Sequence, residues 1–213
     1  MPNGVFITLE GPEGAGKSTQ AAALAEWLRK LRLDVVLTRE PGEGRIGKQI
    51  RGILADPASA ALSPGAEALL LAADRAQHVA EFLHPALNAG KIVICDRYVD
   101  SFIAYQGYGR GMDINWLEQL NQVSSGGLMP DLTLLLLLEP EQGLARTRRR
   151  GAADRWEREE LSFHRRVLAG YRQIARKNNW RVCKIGAEAA PQQVQEQARE
   201  AVLELLHRKG VLG

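Results

Sequence analysis

Five short runs of apolar and β-branched residues punctuate the chain: Val5 to Leu9, Val35 to Thr38, Ile92 to Asp96, Leu132 to Leu138 and Arg181 to Ile185. Such runs read as strands, and the nearly uninterrupted ones as strands covered on both faces. Leu132 to Leu138 has the composition of a buried helix as much as of a strand, but Pro130 before it and Pro140 behind it leave room only for a strand. Between the runs the period changes. Residues 20–31 set Ala21, Leu24, Ala25, Leu28 and Leu31 at helical spacing. Residues 46–54 and 66–84 are also helical, the latter apolar on more than one face around Leu69, Leu70, Leu71, Ala72 and Ala73. Strands alternating with helices predict an α/β fold, a five-stranded parallel sheet with helices on both faces. In an open sheet of this kind ligands gather at the carboxyl ends of the strands.

After the first strand comes Gly11-Pro12-Glu13-Gly14-Ala15-Gly16-Lys17-Ser18-Thr19, with the spacing of a phosphate-binding loop. Glycine-rich strings also occur as plain turns, so the context carries the argument. Only between a strand and a helix do successive backbone N–H groups and a helix N-terminus converge on one anion. In that arrangement Gly14 and Gly16 let the backbone approach the phosphates, Lys17 reaches the β- and γ-phosphates of a nucleoside triphosphate, and the Ser18 hydroxyl ligates Mg²⁺.

The second strand ends in Thr38-Arg39-Glu40-Pro41-Gly42 and the third in Cys95-Asp96-Arg97-Tyr98. Asp96 stands where phosphate-loop enzymes place the carboxylate that holds Mg²⁺, and Arg97 adds a cation; taken alone the two could equally be a surface ion pair, but a phosphate loop in the same sheet favours the site reading. Arg51 and Arg75 fall on helical stretches. Arg75, inside an apolar one, needs a partner: a ligand, or else Asp74 or Glu81. The residues by themselves describe a Mg-dependent nucleotide enzyme with a second anionic substrate.

A length of 213 residues with no linker suits one domain. The net charge is only +3, yet 21 of the 28 basic residues are Arg, whose planar fork suits phosphate, and eight of them fall in Arg146 to Arg166. A nucleic-acid face would interleave stacking aromatics; here Trp156 stands alone beside Asp154, Glu157, Glu159 and Glu160, so no nucleic-acid partner is expected. The longest aliphatic stretch, Leu134 to Leu138, is too short to span a bilayer, and Met1-Pro2-Asn3-Gly4 has no basic segment followed by an apolar run. A cytoplasmic protein without a membrane partner is expected. Cys95 and Cys183 lack metal-ligand spacing and are expected to be buried, reduced thiols.

Taken in order, Leu9-Glu10-Gly11 through Lys17-Ser18-Thr19, Thr38-Arg39-Glu40-Pro41-Gly42, Ala72-Ala73-Asp74-Arg75-Ala76-Gln77-His78, Cys95-Asp96-Arg97-Tyr98, Ala104-Tyr105-Gln106-Gly107 and Pro130-Asp131-Leu132-Thr133 closely resemble the bacterial thymidylate kinases. Each motif alone is weak; in series they span nearly the whole chain. The resemblance implies a P-loop NTPase fold of the nucleoside monophosphate kinase type. It also implies transfer of the γ-phosphoryl group of ATP to dTMP, with Mg²⁺, in dTTP biosynthesis, by a homodimer.

Position by position, the resemblance implies that residues 11–19 hold ATP and that Ser18 and Asp96 serve the metal. Glu13 receives the sugar 3′-hydroxyl, and Arg51 and Arg97 hold the acceptor phosphate. Glu40, Pro41 and Leu71 belong to the acceptor site, Arg75 and Gln106 bond the thymine edge, and Tyr105 fills the space of a ribose 2′-hydroxyl. Two guanidinium forks suit a dianion, and a bulky ring beside C2′ rejects ribose by collision. Phosphoryl transfer needs positioning and charge neutralisation more than a base, which makes Lys17, Arg97 and arginines of a lid at about 146–157 the catalytic cations.

In one branch of the family the phosphate loop itself contributes an Arg. Here that stretch reads Glu13-Gly14, so the chain fits the branch with an arginine-rich lid, in which Arg148 or Arg150 reaches the transferring phosphoryl group. The competing reading of the lid is a solvated, charged helix end neutralised by Glu157, Glu159 and Glu160. Three positions depart from the family pattern: Leu71 replaces the Phe that stacks on thymine, Glu43-Gly44-Arg45 replaces the usual Gly-Thr, and Gly186 replaces an Asp near the adenine. Leu71 admits as alternative a kinase of another nucleoside monophosphate such as dUMP. An alternative of another class is a P-loop switch or assembly ATPase, which would have no use for Asp96, Arg97 and Arg75.

Overall fold

A computed structural model of the chain describes residues 4–149 and 153–212. Strands β1 (Val5–Glu10), β2 (Val35–Arg39), β3 (Ile92–Asp96), β4 (Leu132–Leu137) and β5 (Val182–Gly186) form one sheet in the order β2-β3-β1-β4-β5. All four pairings are parallel. Every strand lies within one residue of its apolar run. The leucine run of β4 serves both faces: Leu134 and Leu136 point into the core beneath α1 (Lys17–Lys30) and α9 (Pro191–Arg208). Leu135 points into the opposite core, with Phe163, Val167 and Tyr171 of α8 (Leu161–Lys177). Burial of this kind contributes roughly 1.5–3 kcal/mol for each large aliphatic side chain, and explains why the strand is apolar on both faces apart from the buried Thr133.

The connections from β2 to β4 build the cleft. After β2 come α2 (Gly44–Ala55) and α3 (Pro64–His78), the latter opened by Pro64 and by the Ser63 hydroxyl accepting from the Ala66 N–H at 3.3 Å. The helix expected over 66–84 is present but not α-helical throughout: α3 gives way to a π-helical turn, Val79–Leu83, and then to α4 (His84–Asn88). After β3, α5 (Val99–Phe102) runs into a second π-helical segment, Ile103–Gly109, which carries Tyr105 and Gln106. Such wide turns are frequent at functional sites. Next come α6 (Ile114–Ser125), β4 and α7 (Pro140–Arg148), whose first residue is the proline that bounds the leucine run.

Arg181 precedes β5 and is taken up by Asp100, with Nη1 and Nη2 at 2.7 and 2.8 Å from the two carboxylate oxygens. Both cysteines are free; Cys95 is buried, whereas Cys183 is only half-buried. No helix among the described residues is long and apolar enough to cross a membrane.

Candidate active site

The phosphate loop leads directly into α1. Gly16 occupies the N-cap at φ +91°, no side chain caps the helix, and its first turn holds no acid. The leading N–H groups and the positive end of the helix dipole thus stay available to an anion. At Gly16 the backbone angle alone demands glycine, since an added Cβ would meet nothing within 4 Å. Gly14 is required twice over: φ is +70°, and a Cβ would lie 2.2 Å from the Gly143 carbonyl oxygen, so the loop touches α7 backbone to backbone. Lys17 is buried, with Nζ donating to the Pro12 carbonyl at 2.8 Å. Burial, reinforced by Arg97, brings its pKa down to about 8.

The Ser18 hydroxyl donates to Asp96 Oδ2 at 2.5 Å, and the other oxygen of Asp96 is buried without a hydrogen-bond partner. A hydroxyl beside a carboxylate with an unsatisfied oxygen fits a hard divalent cation that takes only one or two protein ligands and completes its shell from phosphate and water.

Arg97 does not pair with Asp96. Its backbone sits in the left-handed region at φ +72°, which turns the side chain inward. There Nη2 donates to Glu13 Oε1 at 2.6 Å and to the Tyr105 hydroxyl at 3.0 Å, and the guanidinium stacks 4.9 Å from the Tyr105 ring centroid. The Tyr105 hydroxyl in turn donates to Glu13 Oε1 at 2.8 Å. Burial would raise the pKa of Glu13, but the charges of Arg97 and Lys17 and the Tyr105 hydrogen bond outweigh it and bring the carboxyl to about 2. Arg51 donates from Nη1 to the Pro41 carbonyl at 3.0 Å, and its proton affinity is lowered by burial and by the neighbouring charge of Arg39, with Arg97 adding to the effect. Arg39, Arg51 and Arg97 thus concentrate positive charge on one part of the cleft. The sequence reading passed over Arg39; its signal is the end position on β2, level with Asp96 in the sheet register.

The partner of Arg75 is neither Asp74 nor Glu81. Arg75 Nε donates to Glu40 Oε2 at 3.0 Å and Nη1 to Asn121 Oδ1 at 2.5 Å, while the guanidinium lies 5.2 Å from the Tyr98 and Phe102 ring centroids. Glu40 also meets His78 Nδ1 at 2.8 Å, so this buried carboxylate orients Arg75. Asp74 accepts from the Gly42 N–H at 3.1 Å, and burial next to Glu40 pushes its pKa up to about 7. Gln106 donates from Nε2 to Glu67 Oε1 at 3.1 Å and leaves its own Oε1 buried without a partner.

One cleft collects Glu13, Gly14, Gly16, Lys17, Ser18, Thr19, Glu40, Pro41, Arg51, Leu71, Arg75, Asp96, Arg97, Tyr105 and Gln106. Gly11, Pro12 and Ala15 do not line it; Pro12 acts through its carbonyl on Lys17. Leu71 shares the wall with Phe102, an aromatic supplied by α5.

Arg148 is exposed at the end of α7 and does not line the cleft, and Arg150 lies outside the described residues. Arg155 and Trp156 are buried rather than solvated, and Glu159 is engaged by Arg110 at 2.6 Å. From this segment it is Asp154, Trp156 and Glu157 that edge the cleft. Nothing local in the sequence marks Trp156 as buried, because its partner Glu67 is 89 residues away.

Residues 9–198 match the family model for thymidylate kinase. The chain is 50% identical over 192 residues to the thymidylate kinase of Synechococcus sp. (strain JA-2-3B'a(2-13)), a match covering 89% of this chain and 90% of that protein. It is 46% identical over 213 residues to that of Desulfovibrio desulfuricans (strain ATCC 27774 / DSM 6949 / MB), covering 97% and 98% of the two chains. Its structure resembles the crystal structure of thymidylate kinase from Ehrlichia chaffeensis with a TM-score of 0.75 and 33% identity, over 94% of this chain and 99% of the other. Similarity of this depth, running unbroken from the phosphate loop past the lid, places the chain in the thymidylate kinase family.

Proposed function

We propose that the chain transfers the γ-phosphoryl group of ATP to dTMP, giving dTDP, with the residues of this cleft as its machinery. The observation that carries the assignment is the meeting, in one cleft, of an uncapped phosphate loop with the Arg97, Glu13 and Tyr105 cluster and the Arg39 and Arg51 cations. Lys17 and the α1 N-terminus take the donor phosphates, and Arg51, Arg97 and Arg39 take the acceptor phosphate. Glu13 is kept as an acceptor by Arg97 and so suits the sugar 3′-hydroxyl. Arg75, Gln106 and Leu71 meet the base, and the Tyr105 ring stands beside C2′. Ser18 and Asp96 would hold Mg²⁺, which would supply neutralisation of the charge that develops on the phosphates. Glu13, Tyr105 and Arg97 are fixed by hydrogen bonds to one another, as catalysis by positioning requires.

The same reading gives one domain over residues 1–213 with a lid at about 146–157, of the branch in which Arg148 or Arg150 swings to the phosphoryl group. It also makes the enzyme a cytoplasmic homodimer, supported by exposed Ile53, Leu69 and Val123 on the adjoining helices α2, α3 and α6. A screen of nucleoside monophosphate acceptors with Mg-ATP tests the function. The highest kcat/KM is expected for dTMP; a better dUMP or dCMP would reassign the acceptor, and ATP hydrolysis without acceptor phosphorylation would overturn the kinase reading.

A further inference from the structure

A glutamine amide presents a carbonyl at one end and an NH₂ group at the other, so what Gln106 offers a ligand depends on which way it is turned. Glu67 decides this. It does not line the cleft, it is 1% exposed, and every group it meets is a donor. Trp156 Nε1 donates to its Oε1 at 2.7 Å, Arg110 Nε to its Oε2 at 3.2 Å, and Arg155 straddles the carboxylate, with Nη1 3.2 Å from Oε2 and Nη2 3.1 Å from Oε1. An indole and two guanidiniums cannot accept a hydrogen bond. Both oxygens of Glu67 are therefore acceptors, and only the NH₂ end of Gln106 can satisfy Oε1, as it does at 3.1 Å. The Gln106 carbonyl is left over, buried and unpartnered, on a residue of the cleft wall.

We propose that Glu67 is a specificity-determining positioning residue: by holding the Gln106 NH₂ group it commits the Gln106 carbonyl to the base. That selects a pyrimidine bearing N–H at ring position 3 over one whose N3 is a bare acceptor. An acceptor facing the fixed carbonyl leaves two buried lone pairs opposed, whereas an N–H satisfies the orphan oxygen. The inference rests on the reading of Gln106 as a base contact given above. Because Arg155 and Trp156 hang on the same carboxylate, residues 155 and 156 are seated by the group that orients Gln106.

The test is kcat/KM for dTMP, dUMP and dCMP in the wild type, Glu67→Gln, Glu67→Asp and Gln106→Ala, with thermal melting to confirm folding. In Glu67→Gln the new amide can donate to the Gln106 carbonyl and free it to turn. The dTMP to dCMP ratio should fall about tenfold or more, with dTMP and dUMP moving together. Should that variant not fold, Glu67→Asp keeps a charge for the arginines, shortens the reach to Gln106, and should lower the same ratio. A purely structural role would reduce all three acceptors in proportion. In the Gln106→Ala background Glu67→Gln should change the ratio no further. A wild type without preference for dTMP over dCMP overturns the reading of Gln106 and this inference with it. A clear wild-type preference that Gln106→Ala lowers and the folded Glu67 variants leave unchanged overturns the role of Glu67 alone.

Discussion

The Tyr105 side chain combines two duties that substitution can separate. Its ring is packed edge-on against Phe163 and Tyr171 at centroid distances of 6.0 and 6.3 Å, and lies under the Arg97 guanidinium at 4.9 Å. Its hydroxyl binds Glu13 and Arg97. With 6% of the residue exposed, Tyr105→Ala removes a core ring as well as a sugar gate. The cost of removing such a ring is about 3–5 kcal/mol. At ~2–4 °C per kcal/mol for a chain of this size, the melting temperature should fall by about 6–20 °C. Tyr105→Phe keeps the ring and deletes two hydrogen bonds, one to Glu13 and one from Arg97, of which the bond to Glu13 is worth roughly 1.5–3 kcal/mol. Were the loss of that bond felt in full in the transition state, kcat/KM for dTMP would drop about 10- to 150-fold. The drop should sit at the low end, because Arg97 still holds Glu13 directly at 2.6 Å. The preference for dTMP over its ribonucleotide counterpart should survive in Tyr105→Phe and weaken in Tyr105→Ala, since exclusion of the 2′-hydroxyl is steric. The assay is kcat/KM for both acceptors alongside thermal melting of each variant. Loss of sugar preference in Tyr105→Phe as complete as in Tyr105→Ala would refute the argument, because the hydroxyl and not the ring would then be discriminating.

Lys17→Ala should abolish transfer, since losing a cation that faces the β- and γ-phosphates costs on the order of 3 kcal/mol or more; retention of over a tenth of wild-type kcat/KM would remove Lys17 from the site. Leu71→Phe should tighten dTMP about 2- to 12-fold, from the roughly 0.5–1.5 kcal/mol that ring stacking adds beyond buried area, with ATP affinity unmoved. Calorimetric titration decides it, and equal or weaker binding by a folded variant would mean that Phe102 on the same wall already provides the aromatic face. The folded-state pKa of Asp74, about 7 against an unfolded 3.8, gives a pH dependence. A carboxyl that holds its proton more tightly when folded contributes stability below pH 3.8 that is lost as pH rises to about 7. The wild type should therefore lose ground to Asp74→Asn between pH 4 and 7 in paired melts, and a constant difference across that range would show that Asp74 titrates normally.

The strands and the phosphate loop were legible in the sequence because each is encoded within a few consecutive residues. An apolar run bounded by prolines can be only a strand, and a glycine loop between strand and helix can point its N–H groups only at an anion. For the same reason Lys17, Ser18 and Asp96 stood out at strand ends. Arg51 and Arg75 stood out as arginines on helical stretches, the family resemblance added Tyr105 and Gln106, and all four line one cleft. The sequence could not say which acid each arginine meets. Arg97 finds Glu13 across 84 positions, Arg75 finds Glu40 across 35, and Trp156 finds Glu67 across 89. These pairings are chosen by packing, once the helices have settled on the sheet and burial has made every unpaired charge costly. Local composition offered Asp96 to Arg97 only as the alternative to a cation in the site, and named no partner for Trp156. The tertiary structure buries Trp156 against Glu67 and turns Arg97 toward Glu13 and Tyr105.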